Sequence, residues 1–171
     1  MSGENCQLIE LSAALEGDFR ELAAEAIAAN ETPYINWNGD FEDYVRRMEI
    51  LAKGENIPAE DVPRHTYFLF CGGRIIGRSE IRRRLNPELE ITGGHIGGDI
   101  RRSERRKGFA TVMLKLTLEK AGELGLKSVL ITCDKENIAS AKTIEKCGGK
   151  FDKQVIHEET GKLIFHYWID L

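Results

Sequence analysis

Arg101-Arg102-Ser103-Glu104-Arg105-Arg106-Lys107-Gly108-Phe109-Ala110 joins a glycine-rich run to the strongest helical pattern in the chain. This is the chemistry of an anion site. A helix N-terminus offers unpaired N–H groups and about half a positive charge. Gly108 and the small Ala110 let the backbone approach a bulky ligand such as a pyrophosphate. Arg105, Arg106 and Lys107 add donors and charge around it. The Walker spacing GxxxxGK[ST] is absent, since Phe109 follows Gly108, and so is GxGxxG.

Downstream, residues 108–125 read as a helix with Ala110, Leu114, Thr117, Ala121 and Leu124 as its core stripe. Residues 127–133 form a short apolar strand, and 137–147 a helix closed by Gly148-Gly149. Residues 151–157 and 162–169 form a last hairpin. Upstream, residues 92–100 read as a strand despite Gly93, Gly94, Gly97 and Gly98. Glycine weakens a strand, so this run marks a bulge or something lying against the backbone.

Further upstream, Gly72-Gly73 turns a hairpin between strands 66–71 and 74–85, and Asn86-Pro87 breaks the second. Before it come a short strand (7–12), a helix (15–30) and a second helix capped by Asp40 and ended by Gly54. No boundary or repeat interrupts the order, so one mixed α/β domain over residues 1–171 is expected.

The composition narrows the class. The chain has 171 residues with 24 Lys or Arg, 28 Asp or Glu and a net charge of −4, long enough for a substantial core. Residues 1–63 carry fourteen acidic against four basic side chains, and residues 64–171 fourteen against twenty. Two halves of opposite sign suggest two ligands of opposite sign. The acidic total argues against a nucleic-acid partner for the arginine run. No run of about 18 apolar residues exists, which excludes a membrane span. The N-terminus lacks the basic and apolar regions of a secretory leader, so a cytoplasmic location is expected. Cys6, Cys71, Cys133 and Cys147 show no metal-ligand spacing, so no metal is expected, and the reading is four reduced thiols.

Arg105-x-x-Gly108-x-Ala110, placed after a strand and opening a helix, resembles the R/Q-x-x-G-x-G/A signature of the GCN5-related N-acetyltransferases. Asn137-x-x-Ser140, with Lys146 and Gly148-Gly149 downstream, is similar to that family's second cofactor segment. The order of elements matches over nearly the whole chain. The resemblance implies a central, mostly antiparallel sheet of about seven strands, splayed between the fourth and fifth. It implies acetyl-CoA as acyl donor, its pantetheine lying in the gap like an added strand. Gly98 and Ile100 would meet the pantetheine and thioester. Arg105, Arg106, Lys107, Gly108, Phe109, Ala110 and Thr111 would hold the pyrophosphate, with Asn137 and Ser140 on the other side.

The implied reaction is direct attack of a primary amine on the thioester, its carbonyl polarised by an N–H near Ile100. A general base must remove the amine's proton. His95 is the first candidate and Glu80 the second; His65, His157 and His166 read as structural. Many relatives carry a Tyr where this chain has Ile144, and some a Glu where it has Thr132. A Tyr elsewhere, such as Tyr167, or water would then protonate the thiolate. Those two departures keep a second reading alive, a non-catalytic acetyl-CoA sensor or interaction module. The acidic segment with Glu31, Asp40, Glu42 and Asp43 around Tyr34 and Trp37 suits a cationic small-molecule or peptide amine as acceptor. Homodimers are common among relatives, though no residue here demands one.

Overall fold

The computed structural model describes residues 5–31 and 37–171; Tyr34 lies outside them. Strand β1 (Cys6–Ile9) is followed by helices α1 (Glu16–Ala28) and α2 (Phe41–Lys53). Strands β2 (Arg64–Cys71) and β3 (Arg74–Arg82) form the expected hairpin. A short helix α3 (Pro87–Ile91) leads to β4 (Ile96–Ile100). Then come α4 (Phe109–Glu123), β5 (Ser128–Asp134), α5 (Ile138–Lys146), β6 (Lys150–Ile156) and β7 (Leu163–Asp170). No helix among the described residues is long and apolar enough to cross a membrane.

The seven strands of the described residues divide into antiparallel sheets of order β1-β2-β3-β4 and β5-β7-β6, so β4 ends the first where β5 begins the second. The two faces of β2 and β3 explain the layering. Phe68, Phe70 and Ile75 pack with Phe19, Leu22 and Phe41 of α1 and α2. Leu69 and Ile76 face Met113 of α4. Ile75 and Ile76 serve opposite layers by ordinary strand alternation, and a bulge opposite Leu69/Phe70 then sets Ile76 and Gly77 toward the same layer. Beyond it Arg78, Glu80 and Arg82 share one face of β3 with the ion pairs they make, while Ser79 Oγ meets Thr117 Oγ1 of α4 at 2.9 Å.

Three expectations are corrected. Asn86-Pro87 does not simply break β3; Asn86 Oδ1 accepts the Leu89 N–H at 2.8 Å and Pro87 opens α3, where a missing N–H costs nothing. The fourth strand starts at Ile96 rather than residue 92, because Gly93 and Gly94 take φ of +108° and +61°, which no strand residue adopts. Finally, Cys6 and Cys71 are not thiols. They stand opposite each other in the β1–β2 ladder, Cα atoms 4.4 Å apart, and form a disulfide. A separation of 65 residues conceals that pairing until the register is known. Cys133 and Cys147 are free; burial first, then Asp134, pushes the Cys133 thiol up to about 11.

Candidate active site

The gap between the two sheets is closed at one end and open at the other. At the closed end the His95 N–H donates to the Leu130 carbonyl at 2.7 Å, and the Leu130 N–H donates to His95 Nδ1 at 2.9 Å. The Gly93 N–H adds a bond to Thr132 Oγ1 at 2.8 Å. Gly94 lies so near β5 that a Cβ would stand 2.3 Å from the Leu130 carbonyl oxygen. From there β4 stays with β3 and leaves β5.

The ladder dictates which groups face the gap. Arg82 N–H donates to the His95 carbonyl and Arg101 N–H to the Ile76 carbonyl, each at 2.8 Å. Odd-numbered residues of β4 therefore turn their backbone toward β3, and Gly98 and Ile100 turn theirs away from it, into the gap. Side chains sort the other way across the strand. A Cβ at Gly98 would meet Met113 Cε on the α4 side at 2.9 Å, whereas one at Gly97 would meet the Arg82 guanidinium at 3.3 Å on the opposite face.

This gap opens into a cleft of about 760 Å³. Gly98, Ile100, Arg105, Arg106, Gly108, Phe109, Ala110 and Thr111 line it from one side, Asn137 and Ser140 from the other. All the expected donor-binding residues but Lys107 are thus brought together; Lys107 Nζ pairs with Glu104 at 2.8 Å. The turn into α4 carries two positive φ values, Arg106 at +62° and Gly108 at +88°. Such a turn gathers backbone N–H groups around a concavity that suits an anion. At the start of α4 the Gly108 carbonyl takes the N–H groups of Thr111 and Val112, and those of Phe109 and Ala110, which precede the first helical bond, are available to an anion. Asn137 also has a local duty, its Oδ1 capping α5 through the Ser140 N–H at 3.1 Å.

The expected bases do not line the cleft. The lone pair of His95 that a base would use already accepts the Leu130 amide, which fixes the neutral tautomer. Burial first, and Arg82 second, hold its pKa below the ordinary imidazole value. Glu80 sits between Arg78 and Arg82 at 3.0 Å from each. Burial would raise its carboxyl, but the two guanidiniums outweigh it and keep it below the usual range. A carboxylate so held is a poor proton acceptor.

Asp99, which sequence reasoning passed over, does line the cleft, on the β4 face of Gly97. Arg78 Nε donates to its Oδ1 at 3.4 Å, and burial pushes its carboxyl up despite that contact. Strand alternation, reading outward from Gly98, was the signal that could have found it. Tyr167, the substitute acid, is buried in one core cluster with Ile131 and Ile169, its hydroxyl donating to Glu145 at 3.3 Å. Thr132 Oγ1 accepts the Gly93 N–H, and Ile144 is buried in the core beside the cleft.

The acidic segment is also engaged. Asp40 Oδ1 caps α2 through the Asp43 N–H at 2.9 Å, and Asp43 pairs with Arg46 and Arg47. Glu31 pairs with Arg105 at 2.7 Å. Trp37 packs edge-on against Phe19 at 5.0 Å.

The two sheets splay apart, and a strand edge and a helix N-terminus open into one cleft. The model of the acetyltransferase (GNAT) domain matches residues 9–150, and the chain belongs to that family. Its fold is similar to RimL, a ribosomal L7/L12 alpha-N-protein acetyltransferase in complex with coenzyme A, with a TM-score of 0.71 at 14% identity, covering 97% of this chain and 94% of that one. It is similar to the microcin C7 self-immunity acetyltransferase MccE in complex with acetyl-CoA and AMP, with a TM-score of 0.71 at 15% identity over 98% and 93%. A chimera of spermidine N-acetyltransferase SpeG from Vibrio cholerae with hSSAT follows at 0.66, 16% identity, 96% and 95%. No curated protein matches the sequence.

Proposed function

We propose that this protein transfers an acetyl group from acetyl-CoA to a primary amine. The observation that carries the reading is the outward-turned backbone of Gly98 and Ile100, lining the same cleft as the Arg106–Gly108 turn. An extended amide chain ending in a pyrophosphate matches that sequence of groups: strand-like pairing first, anion site last. Coenzyme A in the RimL structure and acetyl-CoA in the MccE structure support the same ligand here.

Acetyl-CoA would supply the activated acyl group. The chain's own part is to hold it along β4, to present N–H groups near Ile100 to the carbonyl, and to bring the amine to the other face of the strand. Gly97 and Gly98 make β4 thin there, so groups on its two faces come close. Asp99, on the acceptor face, takes the proton of the attacking amine. His95 serves as a clamp and Glu80 as the anchor of Arg78. With Ile144 and Thr132 offering no acid, water returns a proton to the departing thiolate, which a thiol pKa near 8.5 permits. The amine acceptor finds support in the ribosomal-protein and spermidine acetyltransferases of the same fold.

Thiol release from acetyl-CoA, followed across a panel of polyamines, amino acids and peptide N-termini, tests the reading. Amine-dependent release stopped by Asp99→Asn is expected. Binding of acetyl-CoA with no release for any amine would leave a sensor of the same fold.

A further inference from the structure

We infer that Glu25 of α1 is the positioning residue of the anion-binding turn; the inference rests on the acetyl-CoA reading above. Glu25 stands behind the turn, outside the cleft, and three hydrogen bonds converge on it. Its Oε2 accepts from Arg101 Nε at 2.5 Å and from Ser103 Oγ at 3.1 Å. Its Oε1 accepts the Ser103 backbone N–H at 2.7 Å. Two of these come from the short helical turn Arg102–Glu104, the first feature after β4. The third comes from Arg101, a residue only 8% exposed.

The arrangement holds the loop at its root. Arg101 is tied to β3 through its N–H and to α1 through its side chain, with Asp18 3.9 Å and Glu21 3.6 Å from the guanidinium. Arg105, two residues past Ser103, is held from the same layer: it donates to Glu31 at 2.7 Å and to the Ile100 carbonyl at 2.9 Å. Only after these anchors does the chain take its two positive φ values. Burial would raise the Glu25 carboxyl, but Arg101 and Ser103 outweigh it and keep it ionised at neutral pH. Without that charge the Arg101 guanidinium would be buried against weaker partners and the Ser103 N–H would lose its acceptor.

The consequence is selective. The pantetheine end of the cleft is held by the β3–β4 pairs from Ile96 to Ile100, and Glu25 meets that ladder only at Arg101, just past its end. The phosphate end hangs on the Arg106–Gly108 turn, whose root at Arg101 and Ser103 is held by Glu25. Loss of Glu25 should therefore weaken ligands carrying the pyrophosphate and spare those without it.

The test uses the full chain with Glu25→Gln and Glu25→Ala, the first keeping shape and one acceptor. Affinities for coenzyme A and for S-acetylpantetheine, which lacks the pyrophosphate, are measured by calorimetry, and amide exchange over residues 102–108 is followed without ligand. Glu25→Ala should weaken coenzyme A by about tenfold or more, leave S-acetylpantetheine unchanged and speed exchange at Ser103, with Glu25→Gln intermediate. Equal weakening of both ligands, or unchanged affinity for coenzyme A, overturns the inference. Should wild type bind neither ligand, the acetyl-CoA reading fails, and the exchange arm still decides: unchanged protection at Ser103 overturns the positioning role, faster exchange upholds it.

Discussion

Leu130 and His95 exchange two hydrogen bonds, one from each backbone N–H, and this pair closes the sheet on one side of the cleft. The imidazole acts here as a backbone surrogate. Its Nδ1 stands where a strand carbonyl would, so β4 and β5 are joined at one rung and free beyond it.

Replacing His95 by Phe leaves the Leu130 N–H without an acceptor, a loss of about 1–3 kcal/mol. For a chain of this size each kcal/mol is roughly 2–4 °C in melting temperature. Turnover at saturating substrate, measured well below that temperature, should be retained; a fall of about 10²–10⁴ would instead mean that His95 is the base.

The same pair makes stability depend on pH. The His95 pKa is depressed in the folded state, so its contribution is fully present above the ordinary value of about 6.5 and is lost as pH falls from there through the lower folded value. Urea unfolding at pH 7.5 and pH 5 should show a smaller difference between wild type and His95→Phe at the acid end.

Asp99→Asn should lower kcat by about 10²–10⁴ while leaving the affinity for coenzyme A intact. Because burial raises the Asp99 pKa above the usual carboxylate value, wild-type kcat/KM should fall as pH drops through that raised value. A pH profile unchanged in Asp99→Asn would remove it from the mechanism.

Gly108 carries φ +88°, and a Cβ there would meet nothing within 4 Å, so a side chain projects without a clash in the core. Gly108→Glu places a carboxylate at the anion turn. Wild type at a coenzyme A concentration of about 100 times Kd should gain about 2.7 kcal/mol, seen as a rise of roughly 5–10 °C. The folded variant should show no rise in a thermal scan.

The Cys6–Cys71 bridge encloses a separation of 65 residues. Restricting a loop of that length stabilises by about 2–4 kcal/mol. Reductant should lower the urea midpoint of wild type and leave Cys6→Ser unaffected; equal midpoints with and without reductant would show the thiols unpaired.

Much of this molecule is legible from local signals. Helix caps announce themselves through side chains bonding three residues ahead, as Asp40 and Asn137 do. The Gly108 turn and the helix after it need only φ freedom and periodicity; the residues expected to hold a donor are implied by the resemblance of that motif to a family, and the structure gathers all of them but Lys107 around one cleft. What stayed hidden depends on register and on which neighbour claims a polar group. His95 has the right pKa class for a base, but its lone pair belongs to an amide 35 residues away. Glu80 and Asp99 are equally acidic on paper; the second guanidinium on Glu80 separates them. Cys6 and Cys71 meet only because β1 pairs with β2 in one register. Composition and periodicity record what each residue can do within a few positions of itself. Only the tertiary structure decides which distant group uses it, since hydrogen bonds and ion pairs act over a few ångströms whatever the distance along the chain.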